Sequence, residues 1–302
     1  MSPLAALRKA LSAGEAAVLV TVARAQGSTP REAGAAMLVT AGGQTGTVGG
    51  GALEMEAILE ARRMLAAGES ASALDIPLGP AIGQCCGGRV ALALERAGPA
   101  LLRRMEAGAQ AERAGRPVIL LFGAGHTGQA LARALAPLPF NLTVIDTRPE
   151  RLAELPAGIA RRATPLPEAE IDKAPPGSGF VVMTHDHALD FLLTARALER
   201  ADPAYVGMIG SATKREKFRR HLARTGSSAS IDALTLPIGG HTLRDKRPEV
   251  IAALTAAELL VRLAPLENRC TAFARVEMQC DKDSSDGQNP LVRETERHAA
   301  TS

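Results

Sequence analysis

Residues 118–135 have the sequence VILLFGAGHTGQALARAL, which joins an apolar run, a glycine-rich turn and an amphipathic segment. The apolar run, residues 118–122, predicts a strand that is buried on both faces. In the turn, Gly123 permits a tight bend, Gly125 lets a phosphate approach the backbone, and Gly128 allows helix and strand to pack closely. The start of the following helix offers unpaired N–H groups to an anion. The stretch therefore predicts the first strand, turn and helix of a dinucleotide-binding unit.

A second strand and an acidic residue support this interpretation. Residues 142–145 are Leu-Thr-Val-Ile and are followed by Asp146, which lies 18 residues after Gly128. This is close to the roughly 20-residue spacing expected of a carboxylate that binds a ribose. The order strand, glycines, helix, strand and acid is typical of a Rossmann-like parallel sheet. The alternative is an α/β domain whose glycines only pack and whose Asp146 only caps a turn, which would change the ligand but not the fold.

Length and composition limit the class of protein. A chain of 302 residues suggests two domains of ordinary size, and 46% hydrophobic residues suffice for packed cores. Aromatic residues make up 2% and the net charge is +3, so we expect neither a nucleic-acid partner nor a membrane surface. Four cysteines form no disulfide framework in a chain of this length, and no signal-peptide pattern or long apolar run is present. These features predict a cytoplasmic location.

The predicted fold class is α/β, with a C-terminal Rossmann-like parallel-sheet domain and a smaller N-terminal α+β domain. The predicted boundaries are 1–100 for the N-terminal domain, 101–116 for a linker, and 117–264 for the Rossmann-like domain. Gly-Arg-Pro at residues 115–117 marks the end of the linker. Residues 265–302 are polar and aperiodic around residues 281–290, so they are predicted to be a disordered tail.

The N-terminal half contains two further glycine-rich stretches. Residues 27–31, GSTPR, offer donors suited to an anionic group, although an ordinary hairpin turn explains them equally simply. Residues 46–51, GTVGGG, precede a helical pattern, so Gly49 and Gly50 predict a second anion cradle. Glu54 follows in the first helical turn, where it either complements the helix dipole or contacts a ligand.

Residues 82–89, IGQCCGGR, are the most unusual local stretch. Adjacent Cys85 and Cys86 are flanked by glycines that expose backbone and leave room for a bulky group. Arg89 could lower a thiol pKa by stabilising the thiolate. A structural zinc site needs four ligands, usually from two spaced pairs, which one adjacent pair does not supply. The alternative is two small buried hydrophobic residues, because free cysteine is often buried.

Two later segments place polar residues at predicted strand ends. Residues 180–183 predict a strand that ends at Thr-His-Asp-His, residues 184–187, and ligands bind outside the carboxyl ends of such strands. Adjacent side chains diverge there, which favours capping or ligand hydrogen bonds over a compact metal site. Residues 205–211, YVGMIGS, predict another strand and turn. The helix that follows carries five basic residues over residues 214–220, which form either a phosphate site or a solvated face.

Together these stretches resemble the xanthine dehydrogenase accessory proteins, the XdhC and CoxI family. The resemblance covers roughly residues 4–264. The segments that carry it are residues 27–37, 46–54, 83–88, 123–126 with Asp146, and 184–186 with 205–211. The doubled cysteine and the Gly-Met-Ile-Gly-Ser sequence are specific, whereas the Rossmann glycines alone are not.

The resemblance implies a function. Proteins of this family bind molybdenum cofactor (molybdopterin), protect it, promote its sulfuration with a cysteine desulfurase, and insert it into xanthine dehydrogenase or a related molybdenum hydroxylase. A homodimer is implied as well. On this basis Cys85 and Cys86 are expected near the molybdenum or the transferred sulfur. The other cofactor-binding residues expected are Gln84, Gly87 and Gly88 in the cysteine loop, Gly49 and Gly50, and Gly123, Gly125, His126, Gly128, Asp146 and His185 in the Rossmann pocket.

Two other classes of protein stay open. The first is an NAD(P)-dependent oxidoreductase. This class accounts well for residues 123–146 but poorly for the doubled cysteines and the glycine-rich N-terminal half. A scaffold without a cofactor would bind only the desulfurase and the target enzyme. The Rossmann half can also hold a nucleotide in an accessory protein, so a nucleotide is a second expected ligand. We expect no catalytic residues.

Overall fold

The chain forms two compact units in a computed structural model, which describes residues 1–79, 87–240 and 245–263. Described residues up to Glu112 belong to the first unit, and those from Arg113 belong to the second. Gln84, Cys85 and Cys86 lie outside the described residues, as does the tail from residue 264. None of the helices in the described ranges is long and apolar enough to cross a bilayer.

The first unit is an antiparallel sheet with helices on both faces. Its elements are α1 (Pro3–Ser12), β1 (Ala17–Gln26), β2 (Ala36–Thr40), β3 (Gln44–Gly46), α2 (Gly51–Ala67), β4 (Ala71–Pro77), β5 (Arg89–Arg96) and α3 (Pro99–Ala114). The strand order is β3-β2-β1-β5-β4. The segment 101–116, predicted as a linker, is helical up to Ala114, and Leu101 of α3 is buried with residues of α1.

The central strand β1 explains why this sheet folds as it does. Side chains alternate between the two faces of a strand, so Val18, Val20 and Val22 pack in the core that includes α2. Ala17 and Leu19 pack on the opposite face with α1 and the start of α3. Because both faces are covered, the strand is apolar at the successive positions 17–20.

The second unit is a parallel sheet with helices on both faces. Its elements are β6 (Val118–Phe122), α4 (His126–Leu135), β7 (Asn141–Asp146), α5 (Pro149–Ala153), β8 (Ala160–Ala163), α6 (Glu168–Lys173), β9 (Gly179–Val182), α7 (His187–Glu199), β10 (Tyr205–Met208), α8 (Ala212–Thr225), β11 (Leu234–Thr235) and α9 (Pro248–Leu263). Every described strand pair in it is parallel.

The strand order of the second unit is β11-β10-β9-β6-β7-β8. When the strands are renumbered 1 to 6 from β6 and the sheet is read from β8 to β11, the order is 3-2-1-4-5-6, as in dinucleotide-binding Rossmann sheets. The chain changes direction across the sheet between β6 and β9, and ligands of such sheets bind in the crevice at that point. The predicted fold class, a Rossmann-like parallel-sheet domain with an N-terminal α+β part, is confirmed.

Strand β6 lies at the centre of this sheet and is buried along nearly its whole length. Ile119 and Leu121 pack in the core that contains α4 and α9. Leu120 and Phe122 pack in the other core, with α7 and α8. The strand is therefore clamped from both faces, and its carboxyl end holds the glycine turn in a fixed position.

Candidate functional site

The first and third glycines of the turn after β6 are required by packing. Gly123 has φ +112°, and a Cβ there would overlap the carbonyl group of Met183, 2.7 Å from its carbon. A Cβ at Gly128 would overlap the carbonyl oxygen of Gly123 and lie 2.9 Å from the attached carbon. Real Cβ atoms essentially never come within 3.0 Å of such atoms. These two glycines therefore let α4 and the end of β9 close tightly on β6.

Gly125, the second glycine, has a different environment. No described atom lies within 4 Å of the position that its Cβ would take. It is the N-cap of α4, and no side chain of the described residues caps the helix there. His126 is the first helical residue and is exposed. A helix N-terminus with free amides and open space beside a glycine is suited to an anionic group.

Asp146 ends β7 beside this turn and is only 6% exposed. Its Oδ2 accepts a hydrogen bond of 2.7 Å from the Ala124 amide, which ties the carboxylate to the glycine turn. The Arg148 guanidinium donates to both oxygens at 3.0 Å, and the Arg148 amide donates to Oδ1. Asp146 therefore lies where the spacing predicted it, but its carboxylate already has protein partners.

These contacts set the charge of Asp146. Burial raises the pKa of the carboxyl group, but hydrogen bonds from the Arg148 side chain and from the backbone of Ala124 and Arg148 lower it more. The net effect is a pKa below the ordinary value, so Asp146 is a carboxylate at neutral pH. A ligand hydroxyl that bonded to it would compete with Arg148.

A crevice lies at the switch point of the sheet, as the strand order requires. Gly123, Asp146, Thr184 and His185 are among the residues that line it. Its volume is about 10 Å³, roughly the room that one water molecule needs. The enclosed part of the crevice is therefore smaller than a ring such as adenine or pterin. The structure brings His185 and Asp146, predicted from separate stretches, to one crevice.

The turn that carries His185 is held by its neighbours. The Thr184 hydroxyl accepts from the Asp186 amide at 3.2 Å, and Asp186 caps α7 by accepting from the Ala188 amide at 2.7 Å. His185 itself is exposed. Asp186 therefore caps a helix, one of the two roles that the sequence favoured. In the part of the chain that the structure describes, no three His, Cys, Asp or Glu side chains gather closely enough to hold a metal ion.

A buried ion pair lies behind this turn, and sequence reasoning missed it. Asp190 on α7 is fully buried, and its Oδ2 accepts from Lys214 Nζ of α8 at 2.5 Å. Its Oδ1 accepts from the Thr184 amide and hydroxyl, both at 2.8 Å. The available signal was a lone acid within the apolar run of α7, four residues after the Asp186 cap.

The basic residues of α8 do not act as one group. Lys214 points inward to Asp190, and Arg215 donates to the backbone carbonyls of residues 231 and 234. Arg219 and Arg220 pair with Glu216 on the exposed face of the helix. The five basic side chains therefore do not converge to form the phosphate site considered from the sequence. The other alternative, a solvated helix face, applies only to the C-terminal part of the cluster.

In the first unit, three glycine-rich stretches meet at one place. A Cβ at Gly88 would lie 2.5 Å from the carbonyl oxygen of Gln26 and 2.6 Å from that of Ser28. A Cβ at Gly49 would lie 2.6 Å from Pro30, in the same 27–31 turn. Gly87, which follows Cys86 directly in the chain, has no described atom within 4 Å of its Cβ position. Gly88 thus packs against the 27–31 turn, whereas a side chain at Gly87 would meet none of the described atoms.

The predicted anion cradle at Gly49 and Gly50 is already filled by the protein. The Gly50 amide donates to Glu54 Oε2 at 3.1 Å, and the Gly49 amide donates to the Thr47 hydroxyl at 3.2 Å. Thr47 in turn donates to Glu54 at 2.5 Å. Because Glu54 takes the place of an anion, these two amides are not free for a phosphate. Glu54 braces the loop, a role beyond the dipole complement and ligand contact considered from sequence.

Arg89 is paired with an acid within the described residues. Its guanidinium forms two hydrogen bonds to Asp75, at 2.7 and 3.0 Å, across the β4–β5 pair. Hydrogen bonding to Arg89 lowers the pKa of Asp75, so the charge of this arginine is balanced there. The suggested effect of Arg89 on a cysteine pKa concerns thiols outside the described residues and stays a prediction.

Comparison with known proteins gives family matches in both halves of the chain. A model described as "XdhC and CoxI family" matches residues 10–76, and one described as "XdhC Rossmann domain" matches residues 119–259. The uncharacterized protein YqeB of Escherichia coli (strain K12) is 29% identical over 259 residues. That alignment covers 80% of this chain but 42% of YqeB, so the chain spans about two fifths of its relative.

A solved structure is similar over most of the chain. It is described as a xanthine dehydrogenase from Bacillus halodurans, and it matches with a TM-score of 0.72 at 18% sequence identity. The match covers 90% of this chain and 99% of the other. At this identity the likeness shows the fold alone.

Proposed function

Because the chain belongs to the XdhC and CoxI family, as its motifs predicted, we propose that it is an accessory protein for the maturation of xanthine dehydrogenase or a related molybdenum hydroxylase. In this proposal it binds molybdenum cofactor, protects it, promotes its sulfuration together with a cysteine desulfurase, and inserts it into the target enzyme. We propose further that it acts in the cytoplasm as a homodimer and that it is not itself a catalyst.

The observation that carries the proposal is the meeting of glycine stretches in the first unit. Gly88 is packed against the 27–31 turn, and within the described residues nothing lies near the Cβ position of Gly87 beside it. The residues before them in sequence are Gln84, Cys85 and Cys86. Thiolates are soft ligands suited to a sulfur-rich molybdenum centre or to the transfer of sulfur. In sequence, a doubled thiol flanked by glycines fits a bulky group bound through sulfur.

The cofactor would supply the molybdenum centre that the target hydroxylase uses. This chain's part is to hold and shield it. In the proposal, Cys85 and Cys86 contact the molybdenum or its sulfur, while Gln84 shapes the loop around them. The N-terminus of α4 at Gly125, with His126, offers a place for a phosphate.

The second unit supports a second candidate function, the binding of a nicotinamide nucleotide. The strand order 3-2-1-4-5-6, the open space at Gly125 and the position of Asp146 are all features of dinucleotide sites. This favours an NAD(P)-dependent oxidoreductase, or an accessory protein that also binds a nucleotide. It does not account for the doubled cysteine in the other unit.

Anaerobic purification after co-production with molybdenum cofactor tests the proposal. Molybdenum is measured by elemental analysis and pterin by fluorescence after oxidation, with titrations of NAD⁺ and NADP⁺ alongside. The double variant Cys85→Ser with Cys86→Ser is compared with Cys270→Ser, which changes a cysteine outside the motif. The proposal expects near-stoichiometric pterin in the wild type and in Cys270→Ser, and its loss in the double variant.

The alternatives give different results in the same experiment. An oxidoreductase would bind a dinucleotide tightly, carry no pterin and ignore the cysteine changes. A scaffold would carry neither ligand and would still capture the desulfurase and the target hydroxylase. Either result contradicts the cofactor-binding proposal.

A further inference from the structure

The Gly-Met-Ile-Gly-Ser segment, residues 207–211, comprises the end of β10 and the turn after it, and it has no role in the function proposed above. The structure connects it to Lys214, in the first turn of α8. The Lys214 ammonium donates to the Ile209 carbonyl at 2.9 Å. A Cβ at Gly210 would lie 2.6 Å from Lys214 Cδ, so the glycine leaves room for the lysine side chain in its present path. The segment thus directs the Lys214 side chain back beneath the end of the sheet.

Lys214 there meets Asp190, and the two charges are closed off from water. The lysine side chain is 11% exposed and the aspartate side chain 1% exposed, with 2.5 Å between Nζ and Oδ2. A buried carboxylate that lost its cation would be strongly unfavourable, so each charge depends on the other. The pair joins α7 to α8 on the side of the sheet where the strands have their carboxyl ends and the crevice lies.

The same carboxylate continues the connection to the turn after β9. Its second oxygen accepts from both the amide and the hydroxyl of Thr184. Thr184 lines the crevice, and its hydroxyl also accepts from the Asp186 amide. His185 lies between these two anchored residues and lines the crevice opposite Asp146. One chain of hydrogen bonds therefore runs from the Gly-Met-Ile-Gly-Ser segment to the turn that presents His185.

We infer that Lys214 is a positioning residue, which acts through Asp190 and Thr184 to hold His185 at the crevice in the geometry that a ligand requires. The inference rests on the proposed function to the extent that this crevice binds the cofactor or a nucleotide. It assigns the Gly-Met-Ile-Gly-Ser segment to the binding site, although none of its residues lines the crevice. A purely structural ion pair would stabilise the fold without setting the surroundings of His185.

The test compares Lys214→Met with Lys217→Met, which removes an exposed cation from the same helix. Hydrogen exchange of the Thr184 amide and NMR resonances of the His185 ring are measured in the full chain, together with NAD⁺ and NADP⁺ titrations. In Lys214→Met we expect faster exchange of the Thr184 amide and shifted His185 resonances. We also expect about tenfold weaker binding of whichever dinucleotide the wild type binds, because the loss of a hydrogen bond to a charged group corresponds to roughly a tenfold change in affinity. Lys217→Met should show none of these effects.

If Lys214→Met does not fold, Thr184→Val interrupts the same chain of hydrogen bonds one step nearer to His185, between Thr184 and Asp190. It keeps the ion pair and the side-chain shape but removes the hydroxyl, and the same His185 shift is expected. Unchanged His185 resonances in either folded variant would overturn the inference, as would equal changes in Lys217→Met. The NMR result does not depend on any ligand. If the wild type binds neither cofactor nor dinucleotide, the proposed function fails while the positioning of His185 is still decided.

Discussion

Two of the three glycines of the turn after β6, Gly125 and Gly128, are expected to respond in opposite ways when each is changed to alanine. At Gly128 a methyl group would overlap the Gly123 carbonyl, 2.9 Å from its carbon, and the obstacle is backbone rather than a movable side chain. Helix α4 must shift away from β6. Because overpacking typically costs up to about 3 kcal/mol, Gly128→Ala should lower the stability of the second unit by about that amount.

Gly125→Ala is the matched control, because its methyl group meets no described atom within 4 Å and its φ of −71° suits any residue. Alanine is a poorer N-cap than glycine, by roughly 0.5 to 1 kcal/mol. Alanine also restricts the unfolded chain, which contributes about 0.4 to 1 kcal/mol in the other direction. The two effects nearly cancel, so the net change should stay within about 1 kcal/mol.

Thermal and urea unfolding measure both effects. For a unit of this size, about 3 kcal/mol corresponds to a fall in Tm of about 6–12 °C, expected for Gly128→Ala alone. Gly125→Ala should instead weaken dinucleotide or cofactor binding, since its methyl group fills the space left for a phosphate. The reasoning is refuted if Gly128→Ala unfolds like the wild type, or if Gly125→Ala is the less stable of the two.

Further changes test the carboxylates and the cysteine loop. Burial raises the pKa of Asp146, but the hydrogen bonds to its carboxylate, chiefly from Arg148, lower it more, so the pKa lies below the ordinary value of 3.8. The ionised carboxylate therefore stabilises the fold above pH 3.8, and this stabilisation is lost as the pH falls through the lowered pKa. Arg148→Met should therefore cost about 2 kcal/mol at neutral pH and progressively less on acidification, and a constant cost in urea unfolding across pH would contradict this. Glu54→Ala removes the acceptor of two loop donors and should destabilise the first unit by about 1 to 3 kcal/mol, with faster amide exchange in residues 46–51; unchanged exchange would argue against a bracing role. Gly88→Ala should disturb the 27–31 turn and reduce cofactor retention in the pterin assay, whereas Gly87→Ala should leave stability unchanged, and equal unfolding of the two would count against the packing described.

The sequence predicted the second unit well because its signals are local. Residues 118–122 are apolar at every position, and the glycines and Asp146 follow at spacings that a strand, turn and helix require. The strands that sequence reasoning missed lack such signals. Strand β3 has three residues, and β8, residues 160–163, is exposed at every position, so neither shows the burial pattern on which recognition depends.

The contacts of the candidate site were harder to predict because they join distant residues. Asp190 and Lys214 are 24 residues apart, and only the fold of two helices against neighbouring strands brings them within hydrogen-bond distance. The spacing placed Asp146 in the crevice but did not show that Arg148 already binds it. The glycine pattern at residues 49–50 predicted free amides, but Thr47, and Glu54 in the first turn of the helix that follows, accept their hydrogen bonds. Local pattern predicts where a group lies, whereas competition for its hydrogen bonds depends on the whole neighbourhood.

The pairing of Asp146 with Arg148 turns ligand binding at that end of the crevice into an exchange of partners. Within the protein alone neither charge is uncompensated, so this corner folds without help from a ligand. A sugar hydroxyl that reached the carboxylate would replace the bidentate ion pair with a single hydrogen bond from a neutral donor and would release the guanidinium. The exchange becomes favourable when the same ligand also brings an anion for Arg148. The corner would therefore select phosphorylated sugars over bare ones through charge balance.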